Sequence, residues 1–291
     1  MSSETSILGS TSQRSDHYRK LLSFVVSNAW MGENMAVENY SEMVPMFSSV
    51  DEKIEAVQQA KDEGKHILVL EKLGKRAGFG IDQNLIEEEW KGIRATFHEA
   101  AKKSDLAGCL IIQDLMVEAL AVGMYKTFAS PLNADREAAK VAGQLLDDEL
   151  RHLDIGVRRI NALMDKDSDA VHDSLVWAHS RVMPALFAMV HNACDFLCAK
   201  HVYCESELAY VEGGELHLDG APKSDIFINL ESLKLAALEH YVTMLDTTGF
   251  ETRVVNQLVS SMAAYEIPGR VDLGIKEVLA GRNAPAETKC C

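Results

Sequence analysis

The sequence predicts an all-α protein, and three observations predict it. Apolar residues recur at three- and four-residue spacing through most of the chain. Helix-start and helix-stop residues punctuate that pattern repeatedly. No stretch keeps the alternation of a strand except GELHLDG at 214–220. In chain order, a first helix is expected over 16–44, ended before Pro45, and a second over 50–76, started by Ser48 and Ser49. A third covers 82–103, a fourth runs over 105–129 to a stop at Pro131, and a fifth covers 133–165, capped by Asn133. A sixth spans 168–204, and two more lie near 227–247 and 250–265. GELHLDG reads as a small hairpin inside an inserted segment at about 205–226. Long helices with short connections pack most simply as an antiparallel bundle whose inner faces form the core.

The chain of 291 residues is 47% hydrophobic, enough for one sizeable core, so residues 16–265 are read as a single domain. A net charge of −15 and a pI near 5.1 argue against a nucleic-acid footprint or an anionic membrane surface as partner. Residues 1–15, MSSETSILGSTSQRS, lack the basic and apolar regions of a signal peptide; they read as a disordered leader on a cytoplasmic protein, and 266–291 read as a tail. The six cysteines, Cys109, Cys194, Cys198, Cys204, Cys290 and Cys291, are too dispersed for a disulfide framework, and the terminal KCC is no prenylation box. HExxH, a Walker loop and a Gly-x-Ser-x-Gly elbow are all absent from the sequence.

One residue conflicts with the apolar pattern. LIIQDLMVEALAVGMY, residues 110–125, is apolar on nearly every side yet carries Glu118. An unpaired carboxylate costs several kcal/mol to bury. A membrane span is not expected, since the run falls short of roughly 20 apolar residues and includes Gln113, Asp114 and Glu118. The compensating partner is therefore sought within the protein, or in a cation. EGKH supplies Glu63 and His66 on the second helix, and ELRH supplies Glu149 and His152 on the fifth. A Glu and a His at i and i+3 share one helical face. About one such pair arises by chance in a chain of this make-up, so two alone prove little. Specificity comes from the helix before each pair: Glu33 precedes the first, Glu118 the second, and Tyr40 at i+7 favours Glu33 over its neighbour Glu38. Four helices then each send carboxylate or imidazole groups inward, the known ligand pattern of ferritin-like di-iron and di-manganese proteins. Four carboxylates balance two divalent ions, and oxygen-rich ligation with two imidazoles suits iron or manganese better than zinc. A second stripe, His191, Cys194, Cys198 and His201, reads as core, with a soft-metal or redox site as the alternative.

At these residues the chain resembles the cyanobacterial aldehyde-deformylating oxygenases, ferritin-like di-iron enzymes. The similar stretches are GENMAVENY, EGKH, LIIQDLMVEALAVGMY, DDELRH and TGFETRVV at 248–255, together covering most of 16–265. The resemblance implies that Glu33, Glu63, His66, Glu118, Glu149 and His152 bind two iron ions, with Mn/Fe as the other pair such ligands hold. It implies that Tyr40, Gln113, Tyr125 and Asp148 orient ligands or relay protons. It further implies conversion of a long-chain fatty aldehyde, with O₂ and electrons from a ferredoxin-type donor, into formate and an alkane one carbon shorter. Two positions depart from the family: Leu73 stands where a cysteine is usual, and Asp114 where a serine is usual. Asp114 and the insertion favour, as alternatives, a di-iron monooxygenase with a more polar substrate; iron storage or peroxide scavenging is a third reading. Met116, Leu120, Met124, Phe128, Val69, Leu70, Phe24 and Val25 are candidate walls of an apolar tunnel, and KLGKR at 72–76 and the pair Arg158 and Arg159 are candidate basic patches for the donor.

Overall fold

Pro45 has no N–H to continue a helical ladder, and α1 (Asp16–Met43) gives way there to one 3-10 turn, Val44–Met46, in a computed structural model of the chain. The structure describes residues 16–131, 133, 135–198, 209–212, 215–218 and 230–265. The leader, the tail with Cys290 and Cys291, most of the insertion, His201 and the side chains of His191, Cys194 and Cys198 lie outside the described residues. Ser49 accepts from the Glu52 N–H at 3.1 Å while the Glu52 carboxylate accepts from the Ser49 N–H at 3.3 Å, a reciprocal cap that starts α2 (Val50–Ala77). The third helix, α3 (Glu87–Lys102), starts later than expected because Asp82 accepts from the Asn84 N–H at 3.1 Å and forms a turn.

The expected fourth helix is three pieces: α4 (Leu106–Leu110), a π-helical segment Ile111–Val117, and α5 (Glu118–Phe128). Asp135, not Asn133, caps α6 (Arg136–Met164), accepting from the Ala138 N–H at 3.1 Å. Asn133 instead donates to the Phe128 carbonyl at 2.8 Å and accepts from the Asp135 N–H at 2.9 Å, which ties the end of α5 to the start of α6. Then follow α7 (Ser168–Cys198), the antiparallel pair β1 (Ala209–Glu212) and β2 (Glu215–Leu218), α8 (Leu230–Thr247), α9 (Thr252–Met262) and a last 3-10 turn, Ala263–Tyr265. The hairpin sits where the insertion was expected, with Ala209 opposite Leu218 and Glu212 opposite Glu215.

Cross-helix bonds fix the bundle's directions. Trp30 bonds Glu71 and Glu33 reaches His66, so α1 and α2 are antiparallel; Gln59 bonds Arg159 and Arg76 bonds Glu137, so α2 and α6 are too. The π segment and α5 run antiparallel to α1, through Asn39 with Gln113 and Tyr125 with Glu33. These four helices carry the carboxylate and imidazole groups, and α3, α7 and α8 pack against them and share the core through buried residues such as Phe97, Val182 and Tyr241. Leu106–Phe128 is, by length and composition, apolar enough to cross a membrane, but 83% of its apolar window is buried inside the protein. Gly156 on α6 permits one close approach: a Cβ there would lie 2.2 Å from the Cβ of Asp114, so no larger residue fits without displacing the π segment.

Candidate metal centre

α2 and α6 face each other with the same five-residue pattern, Asp62-Glu63-x-x-His66 and Asp148-Glu149-x-x-His152. Glu and His at i and i+3 point the same way on each helix, and the antiparallel pairing brings both sets to one level. His66 Nδ1 lies 3.1 Å from Glu63, 2.9 Å from Glu149 and 3.3 Å from Glu33; His152 Nδ1 lies 2.9 Å from Glu63 and 3.3 Å from Glu149. Ligand atoms of Glu33, Glu63, His66 and Glu149 all fall within 4.8 Å of one another, as do those of Glu63, Glu118, Glu149 and His152. The six residues named from the doubled pattern therefore meet as two overlapping groups that share Glu63 and Glu149. All six are buried.

The outer carboxylates are held crosswise. Tyr125, seven residues after Glu118 on α5, donates to Glu33 at 2.5 Å; Tyr40, seven residues after Glu33 on α1, donates within reach of Glu118 at 3.0 Å and Asp114 at 2.7 Å. The π segment explains why Gln113 joins them. Its wider turn brings residues five apart onto one side, and Gln113 Nε2 donates to Glu118 at 2.8 Å while its Oε1 accepts from Asn39 at 2.6 Å. Asp148 lies 3.2 Å from His66 Nε2, with Arg151 bonded to its other oxygen at 2.7 Å.

Burial and the mutual repulsion of Glu63, Glu149, Glu33 and Glu118 push the Glu63 and Glu118 carboxyls well above the usual carboxylate range. Burial acts on Glu149 in the same sense, but the close imidazoles of His152 and His66 outweigh it and hold that group down. Burial would depress His66 and His152; the adjacent carboxylate of Glu149, and for His66 also those of Glu33 and Glu63, raise both instead. The cluster thus attracts positive charge strongly. Both oxygens of Glu63 and of Glu149, and Nδ1 of His152, are buried with no hydrogen-bond partner, which is costly unless a cation completes them. Oxygen-rich donors with two imidazoles fit a pair of divalent ions of the iron and manganese type.

Beside this cluster lies a cavity of about 180 Å³. Glu33, Glu118, Gln113 and Tyr125 form its polar end, and Phe24, Val25, Leu120, Met124, Met183 and Phe187 are among its apolar walls. Of the tunnel residues expected, Phe24, Val25, Leu120 and Met124 line it. Leu70 and Phe128 line a separate, smaller cavity together with Leu73, while Met116 is core and Val69 packs partly buried against it. Asp114 does not border the main cavity: it is fully buried against Gly156, bonded to Tyr40, and burial pushes its carboxyl up to about 6.

Several residues went unnamed in the sequence reading. Asp62, the counterpart of Asp148, accepts from Gln58 at 2.9 Å, Lys65 at 2.5 Å and Arg151 at 3.0 Å, and its carboxylate stands 3.9 Å from His152 Nε2. The repeated Asp-Glu-x-x-His was the available signal. Asn39 carried none, since its role depends on the π turn across from it. The Arg158–Arg159 patch is corrected: Arg159 is buried, bonded to Gln59 at 2.8 Å and stacked on Phe47, and Arg158 is paired with Glu55. Lys72 and Lys75 remain exposed, while Arg76 pairs with Glu137.

Comparison with known proteins agrees with this geometry. A sequence model for a family described as long-chain fatty aldehyde decarbonylase matches residues 15–205. The fold is similar to that of a solved structure, Protein 19 with aldehyde deformylating oxidase activity from Synechococcus, at TM-score 0.66 and 20% identity over 85% of this chain and 98% of that one. It is also similar to an R2-like ligand-binding oxidase with aerobically reconstituted Mn/Fe cofactor, at TM-score 0.60 and 15% identity over 81% of this chain and 82% of that one.

Proposed function

The chain belongs to the long-chain fatty aldehyde decarbonylase family, and from that premise we propose that it is a di-metal oxygenase that deformylates a fatty aldehyde to formate and an alkane one carbon shorter. The observation that carries the reading is the apolar cavity whose polar end is formed by Glu33 and Glu118 of the carboxylate cluster. Glu33, Glu63, His66, Glu118, Glu149 and His152 would hold two iron ions, or an Mn/Fe pair as in the R2-like oxidase. Bound there, the metals supply the activation of O₂.

The chain's own residues supply position and exclusion of water. The Tyr125 hydroxyl restrains Glu33, and the Tyr40 hydroxyl and Gln113 amide restrain Glu118, so neither outer carboxylate swings freely at the mouth of the cavity. Asp148 fixes the ring of His66 through Nε2. The apolar walls shield the carbonyl end of a bound chain from bulk water. Electrons come from an external donor, since no flavin or nicotinamide fingerprint occurs in the sequence; a ferredoxin-type protein is the proposed donor, with Lys72 and Lys75 as its exposed basic contacts. The alternative of a more polar substrate loses the support of Asp114, because that carboxylate lies outside the cavity.

The test is direct. Iron-loaded, anaerobically reduced protein given a long-chain aldehyde, O₂ and a reducing system should release alkane and formate together. Neither product, from protein whose metal content is verified, overturns the assignment.

A further inference from the structure

We propose that the Asn28 amide is a polar subsite within the main cavity, selecting an aliphatic chain that carries an oxygen acceptor, such as a hydroxyl, near its middle. The proposal rests on the cavity being the substrate site. Asn28 lines that cavity on α1, and its Oδ1 accepts from the Trp90 indole N–H at 2.8 Å. An indole N–H can only donate, so the oxygen of Asn28 must face Trp90. The amide's NH₂ is the group left over, and it has no hydrogen-bond partner among the described residues.

Trp90 is buried and closely packed on the side facing α1. Its ring packs against α1 at Gly32, where a Cβ would already stand only 3.1 Å from the indole. The Asn28 amide is thus oriented by a fixed neighbour, which makes it a better donor than a free surface asparagine. Asn28 lies five residues before Glu33 on α1; at about 1.5 Å and about 100° per residue that is about 7.5 Å along the helix and about 140° around it, so an extended chain joining the two spans at least roughly six carbons. A chain whose carbonyl end reaches Glu33 would place an acceptor at that distance beside the NH₂. A wholly saturated chain offers the half-buried NH₂ no acceptor on the cavity side, which penalises it relative to the oxygenated one.

Fatty acids serve as non-reacting probes of the metal-loaded protein. Calorimetry should compare dodecanoate with its analogues hydroxylated at successive positions from about six to about ten carbons from the carboxyl carbon, the best of them serving as the hydroxy analogue. Wild type should bind the hydroxy analogue about three- to tenfold tighter. Asn28→Asp keeps an acceptor for Trp90 but removes the donors, and Asn28→Leu removes both; each should lose the preference, and the leucine variant should bind dodecanoate at least as well as wild type. Dodecanoate binding with equal or greater affinity in wild type, or a preference that survives Asn28→Asp, sinks the subsite and leaves the cavity reading standing. Failure of wild type to bind either acid sinks the cavity reading and the subsite with it.

Discussion

The two halves of the carboxylate cluster come from the same repeat and are not equal. Around Glu33 and His66, one tyrosine holds the outer carboxylate, and Asp148 lies within hydrogen-bond reach of the imidazole. Around Glu118 and His152, a tyrosine and an amide hold the carboxylate, but Asp62 stands 3.9 Å from His152, whose Nε2 is buried without a hydrogen-bond partner. Asp62 is occupied by Gln58, Lys65 and Arg151. The repeat decides which residues face inward, and residues outside the repeat decide how firmly each is held. Two unequal sites are what a centre needs if its metals are to differ in affinity or identity.

The largest effect should come from the residues both halves share. Glu149→Ala removes a carboxylate that borders both ligand groups, so we predict loss of both metals and activity at background, read as metal content by elemental analysis. Retention of one full equivalent would mean the halves are independent. Next, Asp148→Ala should weaken metal binding about 10- to 100-fold in chelator competition, whereas Asp62→Ala should cost less, because its contact to His152 is already longer than a hydrogen bond. Equal losses would erase the asymmetry. Smaller still, Tyr125→Phe leaves Glu33 without its tyrosine donor, while after Tyr40→Phe Glu118 keeps Gln113. Tyr125→Phe should therefore reduce turnover more, by about tenfold, given that a hydrogen bond to a charged group contributes about 1.5–3 kcal/mol.

Much of this was legible in the sequence because helical geometry is local. Spacing alone put Glu63 with His66 and Glu149 with His152 on single faces, and Pro45, Ser49 and Pro131 marked helix ends to within a few residues. The resemblance named Tyr40, Gln113, Tyr125 and Asp148, and all four touch the cluster. What escaped depends on contacts between distant segments. The π segment leaves no mark in a periodic apolar run, yet it alone lets Gln113 reach Glu118. Arg159 looked like surface charge because its neighbours Gln59 and Phe47 lie about a hundred residues earlier. Asp114 looked like a substrate contact because nothing local says that Gly156 leaves room for it on the far side of the bundle.

Asp114 supplies the smallest and most diagnostic test of the asymmetry, since the half around Glu118 alone carries this extra acid. Burial raises its carboxyl to about 6, from about 3.9 in an unfolded chain. Between those values the folded protein holds more protons than the unfolded one, so stability falls as pH rises through that window, and the cost is complete above about pH 6. In metal-stripped protein this amounts to at most about 3 kcal/mol. Asn at this position can still accept from Tyr40, but its NH₂ would replace Oδ2, which is buried without a partner, and Arg159 would lose a nearby negative charge. Those losses offset most of the gain. Asp114→Asn should therefore stabilise the metal-stripped protein by about 1 kcal/mol at pH 7 in urea unfolding, with the gain gone near pH 4, where the wild-type carboxyl is already protonated. A variant destabilised equally at both pH values would show that the buried charge is no burden, and that the half around Glu118 is strengthened by its extra acid.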